Sequence, residues 1–85
     1  MISRTEARFW RLFESLPADA QALARDKYRL WARDPFYPSM MFKPLGRNVW
    51  SVRIGDHYRA LGKRSGDLIV WFWIGTHEEY NNFRF

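Results

Sequence analysis

The residues best suited to chemistry lie directly after the most apolar stretch of the chain, residues 68–74. Four consecutive positions there hold an imidazole, two carboxylates and a phenol: His77, Glu78, Glu79 and Tyr80. A rigid strand positions the side chains at its end, and an imidazole can transfer a proton near neutral pH. His77 is therefore a candidate acid or base, with an ordinary surface histidine as the alternative.

Two arginines form the second candidate group. Residues 49–54 alternate between apolar and polar types, which predicts a half-buried strand with Arg53 on its open face. Arg59 follows six residues later, beyond a predicted hairpin turn at Gly55-Asp56. Paired residues of antiparallel strands lie within about 5–8 Å when their faces agree. The sequence leaves the register open, and two solvated arginines remain the alternative.

The positive charge of the chain is concentrated in the same region. The formal net charge is +5. Residues 43–64 alone account for this value, because Asp56 is their one acidic residue and they hold six basic ones: Lys43, Arg47, Arg53, Arg59, Lys63 and Arg64. This distribution points to a polyanionic partner such as nucleic acid, with an inert basic surface as the alternative.

Composition excludes several classes of protein. With 85 residues, the chain is expected to form one domain, 1–85. The absence of cysteine excludes disulfide scaffolds and thiol catalysis, and two histidines make a metal site unexpected. We expect no cofactor. No apolar run approaches the roughly 18–20 residues of a membrane helix, and the N-terminus has no apolar signal-peptide core. A cytoplasmic protein without membrane contact is expected.

The first half of the chain predicts two helices. Ser3 and Glu6 fit a capping box, which places the first helix at about 4–15. Pro17 ends it and can open a second helix at about 18–33, which Asp34-Pro35 terminates. The short connection favours a helical hairpin with an aromatic face.

The second half predicts a sheet over about 40–75 and a short C-terminal tail. Pro44 places the first of these strands at an edge, since proline cannot donate to a ladder. Four tryptophans are expected in the core: Trp10, Trp31, Trp71 and Trp73. The predicted fold class is α+β, an N-terminal helical hairpin packed on a three- to four-stranded antiparallel sheet.

Five motifs in a fixed order resemble the RelE/ParE superfamily, the toxins of type II toxin–antitoxin modules. They are LWARDP at 30–35, FKPL at 42–45, WSVRIG at 50–55, YRAL at 58–61 and WIGTHEEY at 73–80. The resemblance implies a RelE/ParE-like fold whose concave sheet face is the active site. It also implies a cognate antitoxin, and operator DNA bound through the antitoxin complex. Members of the RelE type cut mRNA, usually in the ribosomal A site, whereas those of the ParE type poison DNA gyrase.

The resemblance also suggests residue roles. Arg53 matches the basic position of the VRIG motif and Arg59 the arginine of the YR motif, while His77 and Tyr80 lie where relatives place an acid–base group and a tyrosine. Two features depart from the family. Only Met1 and Ile2 remain for its first strand, which is expected to be absent or vestigial, and its C-terminal helix or strand is hardly present.

The leading hypothesis is a metal-independent mRNA endoribonuclease that acts on ribosome-bound mRNA, inhibits translation and is neutralised by an antitoxin. Its catalytic residues would be Arg53, Arg59, His77 and Tyr80. The RNA phosphates would be held by three further cations: Lys43, Arg47 and Lys63. One alternative is a ParE-like inhibitor of DNA gyrase. The other, favoured by the shortened N-terminus, is a degenerate toxin that only binds antitoxin or operator DNA.

Overall fold

The computed structural model describes residues 1–83, which form two N-terminal helices, a five-stranded sheet and a short C-terminal helix. The helices are α1 (Ala7–Glu14), α2 (Ala18–Arg33) and α3 (His77–Asn81), with one 3-10 turn at Pro38–Met40. The strands are β1 (Ile2–Thr5), β2 (Lys43–Gly46), β3 (Val49–Ile54), β4 (Tyr58–Ser65) and β5 (Leu68–Thr76). Within the described residues, no helix is both long and apolar enough to cross a membrane.

The sheet has the strand order β1-β5-β4-β3-β2. β1 runs parallel to β5, and the other neighbours are antiparallel. The α+β class and the hairpin-on-sheet arrangement are confirmed, but the sheet is mixed and has one strand more than the predicted maximum of four. β2 lies at an edge, as Pro44 predicts.

The additional strand corrects two predictions about the N-terminus. The amide N–H of Ile2 donates to Asp67 O at 2.7 Å, and that of Glu6 donates to Trp71 O at 2.9 Å, so residues 2–5 extend along β5. Ser3 caps no helix, because its hydroxyl accepts from Trp71 Nε1 at 3.1 Å. The predicted capping box is therefore wrong, α1 begins at Ala7, and the first strand is present.

The second helix agrees with its predicted span, and the C-terminal tail does not. α2 begins directly after Pro17, as expected of a residue that has no N–H to satisfy. At the other end of the chain, the Thr76 hydroxyl accepts from the backbone N–H of Glu79, whose carboxylate accepts from the N–H of Thr76. This capping box starts α3, and the T-x-x-E pattern is a signal for it in the sequence.

Most of the apolar core lies between the helices and the sheet. Trp31, 2% exposed, packs edge to face on Trp71 and Phe42. Leu61 and Trp73 form a smaller buried cluster with Val49, on alternate positions of the strands and thus on the other face of the sheet. Trp31, Trp71 and Trp73 are buried as predicted, whereas Trp10 is 46% exposed.

Candidate functional site

The register of the β3–β4 hairpin brings the two candidate arginines together. Arg53 lies directly opposite Arg59, and Arg59 lies opposite Gly75 of β5. Gly55 turns the chain with a φ of +63°, a left-handed conformation that glycine adopts without steric cost. Because the strands alternate their side chains, both arginines lie on the sheet face away from α1 and α2.

A small depression opens on this face, with a volume of about 90 Å³. Five of the seven predicted site residues line it: Lys43, Arg53, Arg59, His77 and Tyr80. Two further residues complete the lining, Met41 and the 2% exposed Ser51. Ser51 lies two residues before Arg53 on β3 and therefore shares its sheet face, whereas Met41 lies in the loop before β2. Neither residue is among the candidates that the sequence singles out.

The remaining two predicted site residues lie outside the depression. Arg47 occupies the exposed turn between β2 and β3, with a φ of +53°. Lys63 is exposed and shares the sheet face of Arg59 by strand alternation, but it lies four residues farther along β4, roughly 13 Å away. These two cations flank the depression instead of lining it.

Arg53 is held in place by three acceptors. Its Nε donates to Gly55 O at 3.0 Å, its Nη2 donates to the Asp56 carboxylate, and its Nη1 contacts Met41 Sδ at 3.8 Å. Asp56 is itself largely exposed, so solvent screens this ion pair. The Arg53 guanidinium is thereby oriented at the wall of the depression.

Arg59 donates to backbone carbonyls, whereas Arg53 also has a carboxylate partner. Its Nη1 donates to Tyr58 O at 2.7 Å and to Gly55 O at 3.2 Å, and it forms no salt bridge within residues 1–83. Burial and then the neighbouring charge of Arg53 lower the pKa of Arg59, and Tyr80 and Asp56 partly oppose this shift. The protein therefore holds two positive charges together with incomplete neutralisation, which favours a bound anion.

α3 supplies the other two side chains. His77 and Tyr80 are three residues apart, so they share one helix face, and their rings stack with centroids 6.1 Å apart. The Arg59 guanidinium lies 6.0 Å from the centre of the Tyr80 ring. The backbone N–H of His77 donates to His57 O at 2.7 Å, which ties the start of α3 to the β3–β4 turn.

The ring of His77 keeps one nitrogen uncommitted. Its Nδ1 is buried and has no hydrogen-bond partner among residues 1–83. Neither neighbouring carboxylate engages the arginines in this part of the chain: Glu79 caps α3, and Glu78 is exposed.

This arrangement is suited to an anionic ester. Two guanidinium groups can hold a phosphate, and an imidazole and a phenol lie beside them for proton transfer or stacking. Within residues 1–83 no three potential metal ligands from His, Asp and Glu cluster together.

Comparisons with known proteins agree with this architecture. Residues 19–82 match the family model described as the ParE-like toxin domain. A search of the curated proteins gives no match.

Solved toxin structures share the fold. The RelBE2 toxin–antitoxin complex of Mycobacterium tuberculosis matches with a TM-score of 0.71 and 21% identity, covering 89% of this chain and 96% of that one. A YoeB/ParE toxin from Agrobacterium tumefaciens matches with a TM-score of 0.67 and 22% identity, covering 91% of this chain and 99% of that one. The isolated E. coli RelE toxin matches with a TM-score of 0.67 and 13% identity, covering 94% of this chain and 90% of that one. At these identities the structures establish the fold, and the family match spans most of the chain: it belongs to the ParE-like toxin domain family of the RelE/ParE superfamily.

Proposed function

We propose that this chain is the toxin of a toxin–antitoxin module and that it cleaves mRNA without a metal ion. The observation that carries this proposal is the convergence of Arg53, Arg59, His77 and Tyr80 on one depression. A protein that acts by binding alone needs no such set of cationic and proton-transferring groups. The lowered pKa of Arg59 also supports the proposal. It means that the surroundings disfavour the positive charge of this side chain, as expected where an anion is to be bound.

The reaction that fits these groups is an internal transesterification of RNA. The ribose 2′-oxygen attacks the adjacent phosphorus, the bond from phosphorus to the 5′-oxygen breaks, and a 2′,3′-cyclic phosphate forms. The 2′-hydroxyl loses a proton and the leaving 5′-oxygen gains one. His77 provides one of these two proton transfers, while Arg53 and Arg59 stabilise the charge that develops on the phosphate oxygens.

The remaining groups bind the substrate. Tyr80 stacks on His77 and faces Arg59, which places its ring where a nucleobase could be oriented. Lys43 at the rim contacts a phosphate, and Arg47 and Lys63 hold the RNA strand on either side. Phosphate contacts of this kind position the strand without reading its sequence. A ribosome carrying mRNA in the cytoplasm is the proposed target.

The proposed protein partner is a cognate antitoxin. Two of the matching structures are toxin–antitoxin complexes, one from M. tuberculosis and one, an archaeal RelE–RelB complex, from Pyrococcus horikoshii. A net charge of +5 on this chain favours an acidic partner, whose association would be fast and sensitive to salt. Operator DNA would be bound through the toxin–antitoxin complex.

Inhibition of DNA gyrase is the second candidate function, and the ParE-like family model is the observation that favours it. This function requires the fold but no catalytic cluster. The hypothesis of a degenerate toxin has lost the observation that favoured it, because the first strand is present.

One pair of assays separates the two candidate activities. The purified chain is added to ribosomes programmed with a defined mRNA and, in parallel, to a gyrase supercoiling reaction. We expect mRNA fragments and unaltered supercoiling. Loss of supercoiling with intact mRNA would replace the nuclease by the gyrase inhibitor.

A further inference from the structure

One buried side chain on the open face of the sheet is polar. Ser51 is 2% exposed, and among the buried residues of 1–83 it is the one with a polar side chain. Val49, two residues before it, and Leu61, opposite it on β4, share its face and are buried and apolar. An apolar side chain would satisfy the packing at this position. The hydroxyl of Ser51 therefore has a role other than filling the core.

The Ser51 hydroxyl has no partner inside the chain. It forms no hydrogen bond with any of residues 1–83. Trp31 Nε1 and His77 Nδ1 are the unpartnered side-chain atoms that solvent cannot reach, and Ser51 Oγ is not among them. The small accessible area of Ser51 thus includes its oxygen, at the lining of the depression. A nearly buried hydroxyl without a partner is unfavourable for folding, so a ligand that pairs with it would remove this penalty.

Two cations flank this hydroxyl. Lys43 lies opposite Ser51 on β2, and Arg53 lies two residues farther along β3; both line the same depression. Paired Cα atoms of antiparallel strands are about 4.5–5.5 Å apart, and those two residues apart on one strand are roughly 7 Å apart. Lys43 forms no salt bridge within the described residues, and the carboxylate partner of Arg53, Asp56, is largely exposed. A hydroxyl donor between two cations is suited to an oxyanion.

We propose that Ser51 Oγ donates a hydrogen bond to a non-bridging oxygen of a phosphate bound in the depression, between the Lys43 ammonium and the Arg53 guanidinium. Serine hydroxyls are common donors to nucleic-acid phosphates, and such contacts determine the position of the strand. Ser51 thereby becomes a substrate-binding residue in addition to the cations. The inference rests on the proposed function for the identity of the phosphate as that of RNA.

The first test measures the affinity of the full chain for inorganic phosphate, from thermal denaturation at increasing phosphate and constant ionic strength. Ser51→Ala should weaken phosphate binding by about three- to tenfold, the effect of one lost hydrogen bond. Its Tm without phosphate should be unchanged or higher, because the hydroxyl has no partner within the protein to lose. A hydroxyl that served only the fold would give the opposite result, a lower Tm with the affinity retained.

An isosteric pair of variants separates the hydroxyl from the shape of the side chain. Ser51→Thr and Ser51→Val both add bulk on Cβ, and they differ in that threonine keeps a hydroxyl where valine has a methyl group. Ser51→Thr should bind phosphate within about twofold of its wild-type affinity, whereas Ser51→Val should be as impaired as Ser51→Ala. Equal affinities of the threonine and valine variants would overturn the assignment.

Cleavage of mRNA on programmed ribosomes distinguishes this inference from the proposed function. Wild-type phosphate affinity and cleavage in Ser51→Ala would remove Ser51 from the site while the nuclease stands. Phosphate binding that depends on the Ser51 hydroxyl, in a chain that leaves mRNA intact, would support the anion site and remove the nuclease. Absence of phosphate binding by the wild-type chain would overturn the anion site itself.

Discussion

Arg53 and Arg59 lie directly opposite each other on β3 and β4, on the sheet face that α1 and α2 leave open. Like charges at paired positions of a sheet repel each other. The structure offsets this repulsion only partly, through Asp56 for Arg53 and through backbone carbonyls for Arg59. The lowered pKa of Arg59 reflects its burial and this neighbour.

An anion bound between the two arginines should therefore stabilise the protein. Because the fold lowers the pKa of Arg59, the charged form is disfavoured in the folded state at every pH below that pKa, and an anion offsets this penalty. At about ten times its Kd, sulfate should add about 1.4 kcal/mol, or roughly 6–11 °C in Tm. Thermal denaturation in sulfate and chloride at equal ionic strength measures this difference.

The matched variants for that measurement are Arg59→Gln and Arg33→Gln, which remove one positive charge each. Arg59→Gln should abolish most of the sulfate effect, and Arg33→Gln, on the outer surface of α2, should retain it. Equal losses in both variants would show a diffuse charge effect and no built anion site.

His77 should act through proton transfer. His77→Ala should lower the cleavage rate by about 10²–10⁴-fold. His77→Gln, which retains a hydrogen bond but does not titrate near neutrality, should be nearly as impaired. Circular dichroism first establishes that both variants fold. A folded His77→Gln protein with near wild-type cleavage would remove His77 from the mechanism.

Thr76 should matter because its capping box starts the helix that carries His77 and Tyr80. Thr76→Ala should lower the free energy of unfolding by about 1 kcal/mol, the usual cost of a lost N-cap. It should also reduce cleavage, whereas Ser65→Ala at an exposed strand end should change neither. Thr76→Ser, which keeps the hydroxyl, should restore both; a Ser variant as impaired as the Ala variant would argue against capping.

Lys43 should contribute phosphate affinity without sequence preference. Lys43→Ala should weaken RNA binding about equally for all sequences and lower the slope of log K against log salt by about 0.7–0.9. Lys63→Ala and Arg47→Ala should act in the same way only if the RNA extends beyond the depression. Binding to short and long oligonucleotides measures this reach. An effect of Lys43→Ala confined to one sequence would indicate base readout.

The sequence predicts much of this architecture because its signals are local. Pro17 and Asp34-Pro35 bracket α2, and the alternation at 49–54 assigns Arg53 to the open face. The N-terminus is different, because Ser3 and Glu6 satisfy a helix-capping pattern while their partners lie in β5, some seventy residues away in the sequence. Long-range pairing of this kind leaves no mark in a local pattern.

In the candidate site, too, local patterns identify individual residues, whereas their arrangement in space depends on pairing between strands. His77 and Tyr80 are identified by their position after an apolar strand, and the arginines by their strands. Their convergence depends on the hairpin register, which Gly55 and the 54/58 closing pair determine in the folded chain. Met41 lines the depression from a loop position where its backbone is left-handed, with a φ of +46°.

In the proposed mechanism, the depression of Arg53, Arg59 and His77 cleaves RNA by internal transesterification. The most direct test is the end-group analysis of mRNA incubated with programmed ribosomes and the wild-type chain, followed by the same analysis with His77→Gln. We expect fragments that end in a 2′,3′-cyclic phosphate and a 5′-hydroxyl, and we expect far fewer of them with the variant. Fragments bearing 5′-phosphates, or equal cleavage by both proteins, would contradict this mechanism.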